Sequence, residues 1–164
     1  MRRAAGALLL LLASSVHAAF TDATLKAAAA DWLANPVTAA QQHGHISTWD
    51  VSEVTNMAGL FMGGESFNED LSSWNVKNVV TMEQMFQGCK AFNADLSSWN
   101  VAKVQNFGRM FMNAHSFNFG LSSWLTASAT NMFSMFKNAF AFDDAVSHFD
   151  LSNVVDVGGM SPAR

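Results

Sequence analysis

The chain has 164 residues, half of them apolar and 13% charged, with a formal net charge of −4, a composition that suits one domain with a packed core. The single cysteine, Cys89, cannot close an intramolecular disulfide, which excludes a disulfide-stapled module. The acidic balance lacks the basic surface needed to displace phosphate counterions, which excludes nucleic acid as a partner.

Taken in chain order, the first element is a leader. Arg2 and Arg3 precede an apolar run from Ala4 to Ala13 that contains five consecutive leucines, and Val16-His17-Ala18 supplies a small-x-small cleavage site. This is the pattern of a secretory signal peptide over residues 1–18, too short to cross the bilayer as a stable helix. Its removal leaves 7 basic residues against 13 acidic, a net charge of −6. No later stretch is long enough for a membrane span, and no lipid-anchor cysteine follows the leucines. The mature protein is expected outside the cell, secreted or at the cell surface.

Residues 19–45 read as a helical N-terminal cap. Asp22 is expected to cap a helix from Ala23 to Ala34, with Leu25, Ala28, Ala29, Trp32 and Leu33 on one face. Asn35-Pro36 ends it, because the residue before proline is pushed out of the helical region. A second short helix is expected from Val37 to His43.

Residues 46–164 form an array of 25-residue units at 46–70, 71–95, 96–120 and 121–145, with a partial unit at 146–164. Leu-Ser-Ser-Trp-Asn-Val stands at 71–76 and again at 96–101, and these two units share 11 of 25 residues. Trp49, Trp74, Trp99, Trp124 and Phe149 form one column, and Ile46, Leu71, Leu96, Leu121 and Val146 another. Phe61, Phe86, Phe111 and Phe136 form a third, and Phe67, Phe92, Phe117 and Phe142 close each unit. Apolar columns at a fixed period predict a repeat solenoid whose units share one core. Within a unit, Leu-x-x-Trp-x-Val follows the opening of a leucine-rich repeat, and the alternation of Trp74 and Val76 predicts a short strand. Met82, Met85 and Phe86 lie at i, i+3 and i+4 and predict one helical turn. The fold expected is therefore a leucine-rich-repeat-like solenoid of short stacked β-strands with one helical turn per coil.

The block Trp-Asn/Asp-Val-x-x-Val-x-x-Met-x-x-Met-Phe, followed by Phe-Asn-x-Asp-Leu-Ser-Ser-Trp, resembles the BspA-like surface-protein repeat over residues 46 to about 160. The resemblance implies a secreted or surface protein concerned with adhesion or interaction, and it brings no catalytic residues. Two departures stand out: the lipoprotein cysteine is absent, and the fifth unit has Phe149 for tryptophan.

The search for chemistry ends without a site. His43-Gly44-His45 lacks a third ligand at metal-binding spacing and reads as a turn. Cys89 shares its column with Ala114 and Ala139 and reads as a small core filler. Asn68, Asn93, Asn118 and Asp143 stack, as do Asp70 and Asp95. They read as a corner ladder bridging coils, since the aspartate column lapses at Gly120 and Ala145 and leaves too few carboxylates for calcium. No catalytic, cofactor-binding or metal-ligating residue is assigned, no cofactor is expected, and the binding residues stay open. The outward columns vary freely, as in Glu65, Lys90, His115 and Phe140. The expected function is an interaction or adhesion module, not an enzyme, with proteins or glycans outside the cell as partners. The alternative is a structural protein assembling by end-to-end stacking, with an end-to-end homodimer through the C-terminal coil at residues 146–164.

Overall fold

The computed structural model describes residues 18–144 and 146–161, so the expected leader, apart from Ala18, lies outside the described residues. Helix α1 spans Asp22–Ala34 and α2 spans Pro36–His43. Thr21, not Asp22, caps α1: its hydroxyl accepts from the Thr24 N–H, and the Thr24 hydroxyl accepts from the Thr21 N–H. Asp22 is the first helical residue, and its carboxylate reaches the first coil instead. Asn35 ends α1 and caps α2 by accepting from the N–H groups of Val37 and Thr38. Pro36 takes the first position of α2, where its missing donor costs nothing. Leu25, Ala28, Ala29 and Trp32 are buried against the coils.

From Ile46 onward the chain winds in 25-residue coils, but they are not built as expected. The described residues contain no β-strand: neighbouring coils share single parallel bridges along Asn56, Thr81, Asn106, Asn131 and Asp156. The strand-stacked, leucine-rich-repeat-like solenoid is therefore overturned. The reason lies in the hexapeptide itself. The Trp74 N–H donates to the Leu71 carbonyl and the Val79 N–H to the Val76 carbonyl, so two turns leave only Trp74-Asn75-Val76 between them. Trp74 and Val76 do face inward and Asn75 outward. Coil-to-coil bonding here comes from side chains: the Trp99 Nε1 donates to the Leu71 carbonyl at 3.0 Å, and the Ser98 hydroxyl to the Ser72 carbonyl at 2.8 Å.

The expected helical turn is also absent. Gln84, Arg109 and Ser134 adopt φ of 57°, 56° and 52° in one column with Gly59 and Gly159. Gly63, Gly88, Asn113 and Asn138 form a second left-handed column four residues on. An α-helix does not pass through left-handed residues. Bonding alternates instead. Met82, Gln84, Phe86 and Gly88 donate their N–H groups to Asn106, Gly108, Met110 and Met112 of the next coil at 2.8–2.9 Å. Met85, Gln87 and Cys89, between them, donate to residues three positions back in their own coil. Along this stretch the rungs have a direction, N–H groups toward the following coil and carbonyls toward the preceding one, whereas the N–H groups of Val80, Gln105 and Thr130 and of Ala91, Ser116 and Ala141 donate back to the preceding coil.

The core is a double column of phenylalanines. Phe61, Phe86, Phe111 and Phe136 stack at centroid spacings of 5.6–5.7 Å. Phe67, Phe92, Phe117 and Phe142 stack beside them at 5.8–6.0 Å. Within a coil the two rings lie 4.0–4.1 Å apart. The coil-to-coil spacings fall in the middle of the favoured aromatic range and the within-coil spacing just below it. The tryptophans are buried beside this column; Trp49 stacks on Trp74, while Trp99 tilts against Phe86 and Trp124 packs on Phe107. In the fifth coil the Phe149 side chain has no indole N–H to give, and His148 Nε2 meets the Leu121 carbonyl at 2.9 Å in its place.

Candidate functional site

The polar corner is structural. The side-chain carbonyl of Asn68 accepts from the Asn93 N–H, Asn93 from Asn118, and Asn118 from Asp143, at 2.8–2.9 Å. Asp70 and Asp95 accept from the N–H groups of Ser72 and Ser97, two residues on. Hydrogen bonds from Ser72 and Ser97 hold both carboxyls below the usual carboxylate range. These bonds engage one oxygen of each side chain. No group of three or more His, Cys, Asp or Glu among the described residues is placed to hold a metal.

The histidine pair separates. His43 Nε2 meets Asp31 at 3.1 Å, while His45 Nδ1 meets the Ser47 hydroxyl at 2.8 Å and its ring packs on Trp32. Cys89 is buried with its thiol directed at the Phe61 carbonyl, and burial pushes that thiol up to about 12. Such a thiol is not a nucleophile near neutral pH.

The outward columns carry the chemical variety. Along one of them Lys90 pairs with Glu65 at 2.7 Å, whereas His115 packs against Phe140 with centroids 5.1 Å apart. Phe140 is 63% exposed and Leu125 71%. On another face the Arg109 guanidinium lies 4.8 Å from the Phe133 ring centroid and 3.7 Å from Glu83. The positions are held by rigid coils and their side chains face solvent, which is how repeat proteins build recognition surfaces.

The structure adds one feature that the sequence did not disclose. A cleft of about 440 Å³ opens where the helical cap meets the first coil, within the size range of ligand sites. Trp32, Leu33 and Pro36 form its cap side, and Met62 to Phe67 with Glu69 form its coil side. Gly63-Gly64 was its one sequence signal, since later coils have Gly88-Cys89, Asn113-Ala114 and Asn138-Ala139. A Cβ on Gly64 would stand 2.7 Å from Leu33 Cδ2, so glycine there lets the cap close down. At the far side of the cap, Asp22 accepts from the N–H groups of Thr55 and Asn56 at 2.7 and 3.1 Å, and from the Thr55 hydroxyl at 2.9 Å. Burial pushes Asp22 up, but these bonds outweigh it and hold the carboxyl below its ordinary range.

Residues 33–149 match a family described as Mycoplasma protein of unknown function, DUF285. No curated protein and no solved structure matches the chain.

Proposed function

The chain belongs to the DUF285 family, the BspA-like surface-protein family, and we propose that it is a non-enzymatic interaction or adhesion module working outside the cell. One observation carries the reading. The inward columns stay apolar through the first four coils with Thr126 as the exception, while the column Glu65, Lys90, His115, Phe140 changes from an ion pair to an exposed aromatic within one stack. A surface written in four chemistries on an invariant scaffold suits recognition of a macromolecule. Export follows from the leader at residues 1–18. The test is binding of the mature protein to an array of glycans and extracellular proteins, with Phe140→Ser and Lys90→Glu beside it. Specific capture that either substitution weakens supports the reading; a turnover found in an activity screen and abolished by one point substitution would replace it with an enzyme.

End-to-end assembly has one observation in its favour: the fifth coil leaves Val155 at 90% exposure, beside exposed Leu151 and Val157. Met132, Ser134 and Phe136 donate forward to Asp156, Gly158 and Met160, while Val155 donates back to the Thr130 carbonyl. By the same pattern the fifth coil turns outward the N–H groups of Val157 and Gly159 and the Val155 carbonyl, so this end offers both donors and an acceptor.

A further inference from the structure

The cap cleft gives the interaction reading, on which this proposal rests, a specific binding site. Rung bonding shows which backbone groups of the first coil lack a preceding coil. In later coils the carbonyls of Gln87, Met112 and Lys137 accept from the N–H groups of Gly63, Gly88 and Asn113. The N–H groups of Ala91, Ser116 and Ala141 donate back to the carbonyls of Glu65, Lys90 and His115. The first-coil equivalents are the Met62 carbonyl and the Ser66 N–H, and neither has a partner among the described residues. Over the Thr55–Asn56 side the cap supplies a substitute through the Asp22 carboxylate. Over residues 62–69 it does not, and there the cleft lies.

The cleft wall combines apolar side chains with negative charge. Leu33, Pro36 and Met62 offer apolar surface, and Glu65 and Glu69 are the charged residues in the lining. Glu65 meets Lys90, while Glu69 has no cation partner among the described residues. We propose that this cleft docks an extended peptide segment of a partner protein carrying a lysine or arginine between apolar residues. One residue of that segment donates its N–H to the Met62 carbonyl, and the residue two further on accepts from the Ser66 N–H, as Gly63 and Glu65 do for the second coil. This is edge addition, with main-chain pairing giving affinity and side-chain pockets giving selectivity. The cation meets Glu69, and the apolar flanks cover Leu33, Pro36 and Met62.

The experiment pans random peptides displayed on phage against the immobilised full chain, then titrates a labelled synthetic copy of a selected peptide. Enrichment of lysine or arginine flanked by apolar residues is expected, with affinity falling about tenfold in Glu69→Lys, less in Glu69→Gln, and unchanged in Phe140→Ser. Thermal unfolding of each variant shows that the fold is retained. No selected peptide, a selection without cations, or equal affinity for wild type and Glu69→Lys would overturn the proposal. Array capture lost in Phe140→Ser but kept in Glu69→Lys would overturn this site while leaving the interaction reading in place.

Discussion

Truncating Phe111 to alanine tests the packing that makes the outward columns rigid. Phe111 is fully buried, and its ring lies 4.1 Å from Phe117, 5.6 Å from both Phe86 and Phe136, and 6.4 Å from Trp124. Removing a buried phenylalanine costs about 3–5 kcal/mol through lost transfer energy and the cavity left behind. Each favourable aromatic pair adds about 0.5–1.5 kcal/mol beyond burial, not additively. Because coils on both sides hold its neighbours in place, the site cannot collapse, and the cost is expected at or above the upper end, about 5 kcal/mol. For a chain of this size that lowers the melting temperature by about 10–20 °C and consumes much of an ordinary domain's stability. Phe142→Ala, with rings to one side at Phe117 and Phe136, is expected to cost about 3 kcal/mol, and Phe140→Ala, on the surface, under about 0.5 kcal/mol. Urea unfolding followed by tryptophan fluorescence and circular dichroism gives all three. Equal midpoint shifts for Phe111→Ala and Phe140→Ala would refute the stacked core.

Three further substitutions probe the cap, the turns and the thiol. Asp22→Ala is expected to cost about 1 kcal/mol at neutral pH, as loss of a cap does. Since the folded-state pKa of Asp22 lies below its ordinary 3.8, its contribution is present above that value and lost as pH falls through the folded one; a stability gap that stays constant into acid would contradict this. Gly88→Ala is expected to cost about 1–2 kcal/mol from its φ of 76° alone, because the added Cβ meets Gly63 only at an ordinary 3.6 Å; a helical turn there would instead gain stability, and urea midpoints distinguish the two. Cys89, buried with its thiol pushed up to about 12, is expected to resist a thiol reagent at mildly alkaline pH until urea unfolds the chain, and rapid labelling of the folded protein would contradict its placement.

The inward columns were legible in the sequence because burial depends on residue type and period, and both are written out four times. The cap helices were legible within a residue or two, through Asn35-Pro36 and the apolar face Leu25, Ala28, Ala29 and Trp32, although Leu33, expected on that face, is exposed; the exchange of Thr21 for Asp22 at the cap turned on a tertiary partner, Thr55, that lies 33 residues away. The local backbone was misread. Met82, Met85 and Phe86 have helical spacing, yet the residue between them, Gln84, is left-handed, and only Gly59 and Gly159, at the ends of its column, marked the position. The Gly88–Asn113–Asn138 column did announce it, since glycine and asparagine tolerate positive φ best. The strand reading failed for a related reason: alternation at Trp74 and Val76 reports which side chains face inward, not whether the backbone between two turns forms a ladder. The cleft was illegible because its two walls come from segments some 30 residues apart and only Gly63-Gly64 marks their meeting.

Residue-resolved amide hydrogen exchange of the full chain tests most directly the central claim, that turn-built coils are closed by directional rungs and leave unpaired groups where a partner can add. Slow exchange is expected at Met82, Gln84, Phe86 and Gly88, at Phe107, Arg109, Phe111 and Asn113, and at Met132, Ser134 and Phe136, with fast exchange at Asn75, Asn100, Ser66 and Gly159. Protection running through residues 74–76 and 99–101, or slow exchange at Ser66 and Gly159 in the isolated chain, would contradict it.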